Sequence, residues 1–208
     1  MDMWIIKETC LDKAYERDGV AIRDGWTVVD IGASLGDFAI SVARSYPNSV
    51  VYAYEPFPTS FALLNDNQKR NGLTNVKAFP YAVGSSDGEV TLDVSSFSHA
   101  VQHSTATGQE GLRVKSVSLA TVIAQRGERC CSLLKMDCEG AEFDILLNAA
   151  PSTLDCIDHI SMEVHDGITQ FTHADLSRHL EANGFAVKTL PNPVHANLGF
   201  LYARNMRA

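Results

Sequence analysis

The chain has 208 residues, 45% of them hydrophobic and 20% charged, with a net charge of −8. A chain of this size can bury a core without disulfides or metal, and its composition is that of a folded protein rather than a disordered one. The negative charge argues against a general affinity for nucleic acid, whose phosphates must be met by Lys and Arg. No apolar run reaches the roughly 18 residues of a membrane span.

Residues 1–25 form a cover segment, with an amphipathic helical pattern over 11–17. Asp2, Lys7 and Glu8 interrupt any signal-peptide core. A strand is expected over 27–31, a helix over 36–45 and a strand over 50–54. Thr59 or Ser60 would cap a helix running to about Asn71, followed by a strand over 76–79. An insertion over 84–117 holds strands at 88–94 and 112–117 and a polar Ser/Thr/His/Gly-rich loop at 95–111, long enough to act as a lid. Ser118 would cap a short helix ending near Gly127. Strands follow at 132–136 and 157–164, helices at 141–148 and 174–183, and closing strands at 187–190 and 198–203.

This alternation is that of an α/β fold, a mainly parallel sheet of seven core strands with helices between them. Residues 191–197 are too short for a helical crossover, so the last two strands pair antiparallel. The five cysteines, Cys10, Cys130, Cys131, Cys138 and Cys156, are odd in number and show no CxxC or zinc spacing. They fit reduced thiols in the cytoplasm.

Chemistry concentrates at the expected carboxyl ends of strands. Asp30-Ile31-Gly32-Ala33-Ser34-Leu35-Gly36 leaves the first strand and enters a helix. The spacing is G-x-x-x-G rather than the G-x-G-x-x-G of dinucleotide sites, and Asp30 is a poor neighbour for pyrophosphate. It suits a cationic or zwitterionic ligand. Glu55, before Pro56, ends the second strand, where a carboxylate can accept hydrogen bonds from both hydroxyls of a ribose. Ala82 and Val83, after the third strand, could pack an adenine ring.

Lys135, Asp137, Glu139 and Glu142 crowd the end of a central strand. The helix dipole accounts for Glu139 and Glu142, but not for a lysine inside a strand. Glu163 and His165 alternate onto one face of the next strand. His165 titrates near neutrality and can take a proton, with Glu163 to orient it. The plainer alternative is a polar strand end bonded to loops. His99 and His103 lie in the polar loop and carry no metal pattern there.

The chain resembles the FkbM family of class I S-adenosylmethionine-dependent methyltransferases. The resemblance runs through VVDIGASLGDFAI, VYAYEPFPTSFALLNDNQKRNG, AFPYAVGSSDGEVTL, VSLATVI, LLKMDCEGAEFDIL and ISMEVH, in that order. Ser34 and Asp37 depart from the family's familiar Asn and aromatic residue. The resemblance implies a Rossmann-like seven-stranded sheet over a single methyltransferase domain, 1–208. It implies S-adenosylmethionine held by Asp30, Gly32, Ala33, Ser34, Gly36, Glu55, Pro56 and Asp137, with adenine near Ala82 and Val83. It implies methyl transfer, usually to an oxygen of a small molecule, sugar or natural product.

Asp137, Glu163 and His165 are the expected catalytic group, with His165 or Asp137 as proton acceptor. The same three could hold a divalent ion, since a metal-bound hydroxyl loses its proton more easily. The reading adopted needs no metal, nucleic acid or membrane. Its rivals are a non-catalytic cofactor-binding module, which a turnover assay would separate, and an NAD-binding oxidoreductase, which cofactor binding would separate.

Overall fold

The computed structural model describes residues 7–18, 20–92, 111–125, 131–192, 195 and 197–207. Its centre is strand β1 (Thr27–Ile31), buried at every position, as an apolar run flanked on both sides must be. Parallel neighbours are β2 (Val50–Tyr54) on one side and β7 (Leu133–Met136) on the other. β3 (Val76–Phe79) extends the sheet beyond β2, and β8 (His159–His165) extends it beyond β7. β10 (Leu198–Asn205) inserts antiparallel between β8 and β9 (Phe185–Pro191). The order is β3-β2-β1-β7-β8-β10-β9, so the seven-stranded, mainly parallel sheet with its last strand antiparallel matches the expectation from sequence.

The helices bury one face each. α1 (Asp37–Ser45) turns Phe38, Ala39, Val42 and Ala43 inward. α2 (Pro58–Arg70) starts earlier than expected: Phe57 is its N-cap and Pro58 its first residue, not Thr59 or Ser60. Proline's fixed φ suits the first helical position, where its missing N–H costs nothing. α3 (Leu119–Ala124) is capped as expected, with the Ser118 side chain accepting from the Thr121 N–H. α4 (Ala141–Leu147), the short α5 (Pro151–Leu154) and α6 (His173–Ala182) complete the set. α5 is a single turn, too short to show a period.

A second sheet of three strands carries the insertion. β6 (Leu112–Ser118) lies between β4 (Ala82–Gly84), to which it is parallel, and β5 (Gly88–Leu92), to which it is antiparallel. β5 and β6 are the expected hairpin strands, whereas the three residues of β4 are too few to alternate visibly. The expected lid over 95–111 lies, apart from Gly111, outside the described residues, as do His99, His103 and Cys130.

The cover segment differs from the expected helix. Residues Lys7–Leu11 form a wide turn and Ala14–Glu16 a tight one. Lys13 and Asp18 bracket the second turn at φ 51° and 52°, a left-handed conformation that interrupts any α-helix. No helix among the described residues is long and apolar enough to cross a membrane.

Candidate active site

The parallel strands β1, β2, β7 and β8 bring their carboxyl ends to one edge of the sheet, where open α/β folds place ligands. The turn after β1 is held from within. The Gly32 and Ala33 N–H groups donate to the Tyr54 carbonyl, Gly36 N–H to the Ala33 carbonyl, and Ser34 N–H to Glu55. These four N–H groups are therefore already bonded within the protein, which does not suit a pyrophosphate cradle. Gly32 has φ +75°, and a Cβ there would lie 1.8 Å from the main-chain oxygen of Asp137. The glycine lets the β1 turn and the β7 turn touch.

Asp30 is fully enclosed, with no exposed surface. Its carboxylate lies 3.0 Å from Lys135 Nζ, the residue paired with it across the parallel ladder. Lys135 also donates to the Gly32 carbonyl at 3.0 Å. Burial alone would push the Lys135 ammonium down, but Asp30, Asp137 and Asp37 reverse this and hold it above its ordinary value. Burial raises Asp30, and Lys135 draws it back. The unexplained strand lysine is thus the partner of the first-turn acid, and Asp30 faces Lys135 rather than an open pocket. Asp30 Oδ2 has no hydrogen-bond partner among the described residues.

Asp137 directly follows β7, and its N–H is bonded to the Ile31 carbonyl. The chain then reverses through Glu139 at φ 53° and Gly140 at φ 98°. The turn aims several acids at His165, the last residue of β8. Glu142 is fully buried and accepts from the His165 N–H at 2.9 Å, with its Oε1 also 3.1 Å from His165 Nδ1. Its other oxygen accepts from the Gly140 N–H at 2.8 Å. On the far side of the ring, Nε2 is 3.4 Å from Glu139 and 4.0 Å from Asp137.

The hydrogen-bond partner of His165 is Glu142, a residue that the sequence pattern did not pair with it. A helix-terminal acid was legible in the sequence as a dipole partner, but its burial was not. Burial alone would lower the His165 pKa, yet the hydrogen bond and charge of Glu142, with Glu139 and Asp137, raise it to about 9. Asp137, Glu163 and His165 each offer one ligand atom, all within 4.8 Å of one another. The three expected catalytic side chains are thus brought together, in a set that could coordinate a divalent ion.

Glu55, at the end of β2, is 7% exposed. Its two oxygens accept from Ser34 N–H and Phe57 N–H, each at 2.8 Å. Burial still raises it to about 6, because these two hydrogen bonds and the charge of Lys135 only partly offset the lost water. Pro56 is half-buried beside it. Ala82 and Val83 are buried in β4, paired with Ser116 and Val117.

Residues 30–187 match the family model of the methyltransferase FkbM domain. The chain is 29% identical to Methyltransferase 1 of Beauveria bassiana, over 88% of this chain and 81% of that protein. It is 26% identical to the 31-O-demethyl-FK506 methyltransferase FkbM of Streptomyces tacrolimicus, over 93% of this chain and 85% of that one. Among solved structures, the methyltransferase FkbM of Methylobacillus flagellatus KT shares the fold with a TM-score of 0.64 at 15% identity, covering 92% of this chain and 47% of that one. The match over most of the chain, on a sheet of this order, shows that the protein belongs to the methyltransferase FkbM family.

Proposed function

We propose that this protein transfers a methyl group from S-adenosylmethionine to a hydroxyl of a small molecule, sugar or natural product, within a single methyltransferase domain spanning 1–208. The observation that carries the reading is contiguity. The Gly32 turn touches the Asp137 turn, and Asp137 lies within 4.8 Å of Glu163 and His165. A cofactor turn and a proton-accepting group therefore share one edge. The family supports methyl transfer, and the O-methyl named for the Streptomyces relative supports an oxygen acceptor.

The residues fit the cofactor. Glu55 is a buried carboxylate short of donors, and a ribose diol would supply two. S-adenosylmethionine, when bound, supplies an activated methyl on a sulfonium leaving group. Gly32, Ala33, Ser34 and Gly36 shape the floor, Pro56 ends the β2 wall, and Ala82 and Val83 offer an apolar side for adenine. Asp30 acts through Lys135 by fixing the Gly32 carbonyl, and Asp137 places a negative charge at the reacting edge.

His165 Nε2 accepts the acceptor's proton while Glu142 fixes the ring at Nδ1. Free His165 is protonated at neutral pH, since its pKa is raised to about 9. A positive charge held near these carboxylates would lower that value and ready the base. The four described cysteines are all free thiols, which supports a reducing, cytoplasmic setting.

Calorimetry with S-adenosylhomocysteine tests the cofactor. Glu55→Ala should weaken binding by about 1.5–3 kcal/mol, the range for hydrogen bonds to a charged group. Binding of NAD instead would overturn the reading. With radiolabelled S-adenosylmethionine and hydroxylated polyketides and sugars, His165→Ala should lower turnover by about 10²–10⁴-fold. A second reading, metal-assisted deprotonation, rests on the Asp137, Glu163 and His165 set. Loss of turnover in chelator, restored by Mg²⁺ or Mn²⁺, would select it.

A further inference from the structure

Tyr15 belongs to the cover segment, 122 positions before Asp137 in the chain, yet its hydroxyl donates to Asp137 Oδ2 at 2.9 Å. We infer that Tyr15 is a positioning residue of the active site, which holds the Asp137 carboxylate through this bond and so makes the cover segment part of the catalytic wall. The inference rests on the proposed function, in which Asp137 faces the cofactor.

The seat is built for this contact. Tyr15 is 5% exposed. Its ring is held edge-on by Phe38 at 5.6 Å and Phe200 at 5.7 Å, and Lys135 Nζ lies 5.1 Å from the ring centre. Tyr202 donates its hydroxyl to the Ala14 carbonyl at 2.6 Å, fastening the preceding residue. Burial, and then the charges of Asp137 and Glu163, push the Tyr15 phenol well above its ordinary value, so it stays a donor.

Asp137 has a side chain 31% exposed, and its Oδ1 is 4.0 Å from His165 Nε2. Without the tyrosine bond, the carboxylate loses the hydrogen bond that turns Oδ2 toward the cover segment and can swing toward the imidazole ring. The contact is thus a device for keeping one acid turned to the ligand in a site where several acids compete for one histidine.

The aromatic packing does not need the hydroxyl, so Tyr15→Phe removes the bond and keeps the ring. The test is a double-mutant cycle of Tyr15→Phe and Asp137→Asn in the full chain, with S-adenosylmethionine and S-adenosylhomocysteine each titrated by calorimetry. Tyr15→Phe should weaken S-adenosylmethionine by about 3- to 10-fold and the uncharged product by less than about twofold. In the Asp137→Asn background it should change neither by more than about twofold. A purely structural role would weaken both ligands alike in both backgrounds, and that result, or no effect at all, overturns the inference. Failure of the unaltered protein to bind either ligand overturns the functional reading and this inference with it.

Discussion

Lys135 and His165 lie on neighbouring strands at the same sheet edge, and both are buried cations beside carboxylates. Lys135 faces Asp30 at 3.0 Å, with side chains 4% and 0% exposed. Water is shut out, with Asp30 in contact and the charges of Asp137 and Asp37 acting from further off. His165 meets three carboxylates, Glu142, Glu139 and Asp137, at 3.1, 3.4 and 4.0 Å, and the last two are 18% and 31% exposed. Here negative charge is in excess and partly open. A closed pair shut off from water serves to brace the two turns. An open, unbalanced group attracts a cation or exchanges a proton.

The largest effect should come from breaking the closed pair. Lys135→Met leaves Asp30 buried without a counter-charge, which typically costs about 3–5 kcal/mol. Urea denaturation at pH 7 measures it, and a loss below about 1 kcal/mol would put the pair on the same footing as a surface bridge.

The open centre should show itself through pH instead. The folded pKa of His165 is raised from 6.5 to about 9. Its contribution to stability is therefore fully present below pH 6.5 and lost as pH rises through about 9. Linkage puts that contribution at up to about 3 kcal/mol. The difference between the unaltered protein and His165→Asn, followed by denaturation from pH 6 to 10, should shrink across that window. A difference independent of pH would mean that the carboxylates do not hold the proton.

Glu55 sharpens the contrast, because among the described residues it forms no ion pair and is held by two backbone N–H groups. Its folded pKa is raised from 4.5 to about 6, so the sign matches that of His165. The stability it confers is present below pH 4.5 and disappears as pH rises through about 6, a loss of about 2 kcal/mol. Glu55→Gln should flatten that part of the pH–stability curve, and S-adenosylhomocysteine should offset the loss above pH 6. The smallest effect serves as a control away from both centres. Ser118→Ala removes the α3 cap, costing about 1 kcal/mol, and should leave ligand affinity unchanged.

Much of this was legible locally. Strands β1, β2 and β3 fall on their expected residues because short apolar runs between turn signals have few other solutions. The antiparallel last pair followed from the length of its connection. Asp137, Glu163 and His165 were legible as strand-end residues, and they converge because β7 and β8 are parallel neighbours.

Other features were hidden for physical reasons. The period-2 pattern says which face a residue takes, not which acid of a following turn reaches it. Glu142, in the first turn of α4, therefore reaches His165 without any signal in the strand pattern. The cover segment showed an amphipathic stripe, but left-handed Lys13 and Asp18 break the helix that the stripe suggested.

What the sequence determined by itself was the alternation of elements and the chemical type of each strand end: a glycine turn, a carboxylate, an acidic turn and a histidine. These depend on neighbours within a few positions, where backbone propensity and side-chain periodicity act. What only the tertiary structure decided was the pairing of charges. Asp30 and Lys135 meet through the register of β1 with β7, Glu142 meets His165 through the left-handed turn at Gly140, and Tyr15 meets Asp137 through a cover folded back over the edge. Burial turns each of these meetings into an obligation, since a polar group without water must find its partner wherever the fold brings one.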